Sequence, residues 1–374
     1  MAKKTQYTGM PLLDLHTHFP MHTKFPPRVT EGAPPIGKEL EFWVANMLLN
    51  FQGGTPRITL DELLAGANGG VASVLYDPED EFFRDATPIP AAFDNLLAQM
   101  ANVEAEVAGR VKVVRNPAQL RHCLLETKEK FLFHCVEGAF ALGGNVENVA
   151  GLASRGVAYV IVAHLFFRGV ATCENAIPFV PDSVFRSVLN REQDDAVGLT
   201  DLGRQIVSRL LSQGILVDIT HSTQRAQAEI FQLARDHGNA PVISSHTGVR
   251  ATSDYPLNLT REAVRQIAAS QGVVGLILAP HWLRQPSEQI FGPDGYQILF
   301  NAINCVHDWT GSYAPIAIGS DLDGFIQPIK TCENYAETPS LVEAIRRKYP
   351  RAADRILYGN ALDVLERGWK GVAS

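Results

Sequence analysis

Seven residues stand where metal-assisted chemistry would need them. His16 and His18 are two apart, a spacing that puts both imidazoles on one face of an extended segment. Glu137, His164, His221, His246 and Asp321 follow, each closing a short apolar run. Neutral imidazole and carboxylate are ligands of zinc and related divalent cations, and a catalytic site keeps one position for water. A carboxylate has two oxygens and can bridge two ions. The pattern predicts a centre for two divalent metal ions, with Zn2+ the expected species. His16 and His18 hold one ion, His221 and His246 the other, and Glu137 lies between. A metal lowers the pKa of its water from ~15.7 to about 7, so hydroxide is at hand at neutral pH. Asp321 is then the proton carrier to the leaving group, and His164 a donor to a developing oxyanion.

Each residue also has a plain alternative. A His-x-His pair alone is a weak signal, Glu137-Gly138 fits a turn, His221 can serve a helix entry, and Ser320-Asp321 fits a Ser/Asp/Gly turn. Their joint placement decides the matter. The chain has 11 histidines, and His16, His18, His164, His221 and His246 all fall at the ends of apolar runs. Asp323 sits further into its loop and reads as structural. His134 has the opposite strand parity to Glu137 and reads as packing, and the remaining histidines get the plain reading.

The elements that must position these groups are eight apolar segments rich in Val, Ile and Leu: 12–16, 71–76, 131–137, 157–164, 215–221, 241–246, 273–279 and 316–321. Near-continuous apolar runs of this length read as strands buried on both faces. Helical patterns alternate with them. Residues 200–211 carry an apolar stripe ending before Gly214, 222–237 start from Ser222 or Thr223 as cap, 260–270 end before Gly272, and Thr338-Pro339 opens a helix through Arg347. Alternation with eight strands predicts an α/β fold, a (β/α)8 TIM-type barrel whose active site lies at the C-terminal strand ends, with inserted loops and C-terminal helices. An open doubly wound sheet is the alternative, weakened by the lack of a Gly-x-Gly-x-x-Gly after the first strand. The chain thus reads as one barrel domain over 1–374, with long loops near the site at 21–56 and 169–197.

Composition limits the rest. The chain has 374 residues, is 46% hydrophobic and carries a formal net charge of −7. No basic patch points to nucleic acid or an anionic membrane. Five cysteines lack Cys-x-x-Cys spacing, which argues against a disulfide framework and for a reducing compartment. No apolar leader or membrane-length run is visible, so the expected location is the cytoplasm and the expected partner a small-molecule substrate.

Beyond these residues, the sequence resembles the membrane (renal) dipeptidase family of the amidohydrolase superfamily, from His16 to about Asn360. The resemblance rests on DLHTHFP (14–20), the VEG of CVEGAF (135–140), GVAYVIVAH (156–164), GLTDLGRQIV (198–207), GILVDITHST (214–223), PVISSHTGVRA (241–251), AIGSDLDG (317–324) and ILYGNAL (356–362). It implies a bridging carboxylate at Glu137, zinc histidines at His16, His221 and His246, the catalytic aspartate at Asp321 and the substrate-polarising histidine at His164. It also implies a homodimer. Two positions depart from the family pattern. The usual His-x-Asp is His16-x-His18 here, which removes one negative charge. The arginine that grips a dipeptide's carboxylate in the family is replaced by Leu257, followed by Asn258, and Arg250 or Arg168 are the nearest substitutes. The expected activity is hydrolysis of an amide or peptide-like bond of a small substrate by a metal-bridging hydroxide. The alternative is a decarboxylase, another lyase or an ester hydrolase of the same superfamily acting on a non-peptide molecule.

Overall fold

The computed structural model describes residues 10–24, 39–52, 55–84, 87–177, 179–285 and 294–372. Parts of the 21–56 loop, residues 25–38 and 53–54, lie outside them; within that segment a helix forms over Glu39–Gln52.

Nine parallel strands form in chain order: β1 (Leu12–Thr17), β2 (Gly69–Leu75), β3 (Lys112–Val113), β4 (Phe131–Glu137), β5 (Tyr159–Ile161), β6 (Leu216–Asp218), β7 (Val242–Thr247), β8 (Val274–Leu276) and β9 (Ile316–Ile318). Their order is β2-β1-β9-β8-β7-β6-β5-β4-β3, and β2 also pairs with β4, from Gly70↔Phe131 to Leu75↔Val136. That pairing closes an eight-strand barrel and excludes the open sheet. The ninth strand, β3, was not expected. It pairs only with the start of β4 (Lys112↔Phe131), on the side where β5 joins only at Val136, and fills the gap left by the stagger of a closed barrel.

The strands are buried along their whole length, apart from β3, as their unbroken apolar sequences require. Several are shorter than the apolar runs. The ladder of β5 stops at Ile161, that of β6 at Asp218 and that of β9 at Ile318, so His164, His221 and Asp321 lie beyond the strands rather than on them. The reason is local. The Asp218 carboxylate accepts from Thr220 N (2.9 Å) and Thr220 Oγ1 (2.7 Å), drawing the chain out of the ladder. His221 and Asp321 then take positive φ, 66° and 60°.

Outer helices form where capping signals stand. Thr200 caps Asp201–Gln213 through Gly203 N, and Gly214 ends it at φ 69°. Thr223 caps Gln224–Asp236 and Thr260 caps Arg261–Ala269. Thr338 is not a cap: it lies inside the first turn of Thr338–Lys348, donating to Tyr335 O and accepting from Ala67 N. No helix among the described residues is long and apolar enough to cross a membrane.

Candidate metal centre

β1 delivers His16 and His18 to the barrel mouth. Asp14 fixes the backbone by accepting from His16 N (3.1 Å) and Ser320 N (2.9 Å), tying β1 to the turn that carries Asp321. The two imidazoles meet with their Nε2 atoms 3.3 Å apart. Behind His16, Nδ1 sits 3.1 Å from Ser245 Oγ and 3.3 Å from Tyr159 Oη, which leaves Nε2 to the cavity. Ser245 Oγ also holds His246 Nδ1 (3.2 Å), so one hydroxyl steadies two rings. Across the mouth, His221 Nε2 and His246 Nε2 are 3.1 Å apart.

Glu137 closes β4 in the middle of this ring. His18 Nε2 is 3.0 Å from its Oε2, His164 Nε2 3.5 Å from Oε2, and the Nε2 atoms of His221, His16 and His246 are 3.4, 3.5 and 3.7 Å from Oε1. Asp321 Oδ1 is 3.3 Å from His18 Nε2 and 3.7 Å from His16 Nε2. All seven residues are therefore together. Three sets place ligand atoms within 4.8 Å of one another: His16/His18/Asp321, His16/Glu137/His246 and Glu137/His164/His221.

The electrostatics suit cations. Glu137 is 1% exposed and neither oxygen is hydrogen-bonded, a costly state for a buried carboxylate. Burial works against its ionisation, but the surrounding imidazoles, His164 foremost, hold its carboxyl well below the usual range. Burial keeps His16, His221 and His246 below the usual imidazole value, in the neutral form a ligand needs. Burial also pushes Asp321 up to about 7. A converging imidazole set around an unpartnered carboxylate is a donor set that divalent cations fit.

Residues the sequence reading passed over complete the wall. The cavity is lined by His18, Glu137, His164, His221, His246 and Asp321 together with Leu48, Leu165, Ala176, Trp282, Phe325 and Ile326, and by His281 and Gly324. Leu48 comes from the 21–56 loop and Ala176 from the 169–197 loop. His281 is held neutral by burial, down to about 3. Glu81, fully buried, receives His164. Both follow the two barrel strands that carry no His, Glu or Asp at their ends, and each sits on a short Pro-started helix, Pro78–Phe83 or Pro280–Leu283. Asp77-Pro78 and Ala279-Pro280 were the available signals.

The expected substrate arginines lie elsewhere. Arg250 donates to Asn258 O (3.1 Å) and Pro256 O (2.9 Å); Arg168 donates to Arg84 O (3.0 Å) and Glu81 O. Neither lines the cavity, and Leu257 is packed into the core. Asp323 is structural, accepting from Arg57 N (2.8 Å) and Ile58 N (3.1 Å). His134 faces away from the site, 3.3 Å from Glu104.

Comparison with known proteins agrees with this architecture. An uncharacterized protein of the pqqA 5′ region of Klebsiella pneumoniae is 24% identical over 280 residues, covering 73% of this chain and 95% of that protein. The dipeptidase aclJ of Aspergillus oryzae is 24% identical over 233 residues, 62% of this chain but only 50% of its own length. Among solved structures, a metallopeptidase from Rhodobacter sphaeroides, liganded with a phosphinate mimic of L-Ala-D-Ala, superposes with a TM-score of 0.72 at 22% identity, covering 96% of this chain and 100% of that one. The probable dipeptidase PvdM of Pseudomonas aeruginosa gives 0.69 at 19% identity, with 96% and 95% covered. The family model for membrane dipeptidase (peptidase family M19) matches residues 4–369, and the chain belongs to that family, as a dipeptidase-like metallohydrolase.

Proposed function

We propose that the chain is a binuclear metal-dependent hydrolase that cleaves an amide or peptide-like bond of a small substrate. The observation that carries this reading is Glu137: a buried carboxylate with both oxygens free of hydrogen bonds, ringed by five imidazole Nε2 atoms at 3.0–3.7 Å. His16 and His18 would hold one ion, His221 and His246 the other, and the two oxygens of Glu137 would serve both. Zinc is the expected metal for this donor set. When bound, such ions acidify water and polarise a carbonyl.

The chain's own groups do the rest. Asp321 Oδ1 is close to the His16/His18 pair, and its raised pKa near 7 suits it to accept a proton and release it to a leaving nitrogen. His164 Nε2 faces the same space and donates to the carbonyl oxygen as charge develops there. Leu48, Leu165, Trp282, Phe325 and Ile326 exclude water and grip apolar groups. No Arg or Lys lines the cavity among the described residues, which favours a neutral amide or ester over a free dipeptide. The chain is one catalytic unit over 1–374, with Leu48 of the 21–56 segment and Ala176 of the 169–197 segment in the cavity wall. Five free cysteines fit a reducing, cytoplasmic setting.

The test is elemental analysis of native protein and Glu137→Gln, with a screen of dipeptides, N-acyl amides and esters. About two equivalents of zinc, falling in the variant, with amide cleavage, is the result expected of a zinc-loaded binuclear site. One metal or none, unchanged by the substitution, with carbon dioxide release in place of amide cleavage, would overturn the bridging role and favour a lyase.

A further inference from the structure

We propose that Glu81 is the positioning residue for His164, fixing the imidazole so that its Nε2 faces the reacting carbonyl. This rests on the hydrolytic reading above for the role of His164, though not for the pairing itself. Glu81 lies on the short helix Pro78–Phe83 after β2, 0% exposed. A carboxylate at that depth persists only if donors satisfy it, and three converge. His164 Nδ1–H donates to Oε2 (2.7 Å), Tyr76 Oη–H donates to the same oxygen (2.8 Å), and Phe166 N–H donates to Oε1 (3.0 Å).

The arrangement grips His164 twice. Oε2 takes the ring, and Oε1 takes the backbone two residues further along. A carboxylate only accepts, so Nδ1 must carry a hydrogen, and the other nitrogen is the one left for the cavity. Two rings remove the remaining freedom. Tyr76 stands edge-on to His164 at 4.5 Å between centroids and His221 at 4.7 Å. With these contacts in place, Nε2 comes to 3.5 Å from Glu137 Oε2. Neighbouring acids have other work: Asp80 accepts from Asn95 Nδ2 (2.9 Å), and Asp77 caps the helix through Glu79 N (2.9 Å). Glu81 is the member of this run that reaches His164.

The test combines kinetics with histidine spectroscopy on the full chain. Glu81→Ala is expected to lower kcat by about 10- to 100-fold, the range for losing an imidazole's orienting carboxylate. KM should move by less than about threefold and metal content should hold, since no ligand is touched. In a His164→Ala background, Glu81→Ala should change kcat by less than about threefold, because the two act as one unit. Glu81→Gln, whose amide oxygen still accepts from Nδ1–H, should recover part of the loss and serves if the alanine variant does not fold. Multiplying losses in the double variant, or a Glu81→Ala enzyme with native kcat, would overturn the proposal.

A second readout does not need turnover. In 15N-histidine spectra, His164 Nδ1 should carry an exchange-protected proton in the native protein and lose that protection in Glu81→Ala. If the native protein cleaves no amide, the hydrolytic reading fails while this signal still decides the pairing. An unchanged His164 signal in the variant would overturn it.

Discussion

At the residue scale, one constraint on the centre is a missing side chain. A Cβ at Gly324 would run into Asp321 Oδ1 and come to 2.8 Å from His18 Cδ2. Gly324→Ala should therefore act as a displaced Asp321, with kcat reduced by roughly 10²-fold or more, as expected for a misplaced general acid–base group. Thermal melting should barely move, because the residue faces a cavity rather than the core, and steady-state kinetics beside a melting curve checks both. Asp321→Asn should match the loss with metal content intact. That His16, His18, Glu137, His164, His221, His246 and Asp321 come together was legible because His, Glu and Asp are scarce in apolar runs and their positions repeat. Glu81 was not, since Glu79, Asp80 and Glu81 form one acidic run and sequence cannot say which member turns inward. His281 was missed likewise: as one imidazole it carries no spacing to test.

At the scale of elements, the eight barrel strands were legible from their apolar content, and the outer helices from the apolar stripe of 200–211, the Ser222/Thr223 cap and the stops at Gly214 and Gly272. What stayed hidden is set by hydrogen bonds between distant segments. Two residues, Lys112 and Val113, carry no periodicity, and only the stagger of β4 against β2 and β5 makes them a strand. Strand ends were overrun because apolar content continues past the ladder while Asp218 turns the chain aside. The outer face of β4 offers a prediction in pH. His134 is buried against Glu104 of the helix Ala92–Val107, and burial holds its pKa below the usual 6.5. The unfolded chain takes up a proton below that value which the folded chain refuses, so stability falls as pH drops through 6.5 toward the folded pKa. His134→Leu should remove at most about 1.4 kcal/mol per pH unit of that slope. Urea unfolding of both proteins between pH 5 and 7 measures it.

At the scale of the whole molecule, the centre joins parts of the chain that only closure brings together: β1, β4, β7 and the turns after β5, β6 and β9. Ligand binding to the folded state alone stabilises it, by about 2.7 kcal/mol at a hundredfold excess over Kd. A chelator should lower the melting temperature of the native protein, zinc should restore it, and Glu137→Gln should respond to neither. Differential scanning calorimetry with and without chelator reads this.

The pairing of β2 with β4 carries a consequence for assembly. Side chains alternate along a strand, so a slip of one residue would turn Glu137 outward and bring His134 or Val136 toward the axis. Such a misclosed chain would still bury most of its apolar surface, yet it would offer no carboxylate between the histidines. Metal uptake at the proposed centre would thus act as proofreading, rewarding only the barrel that has closed in register.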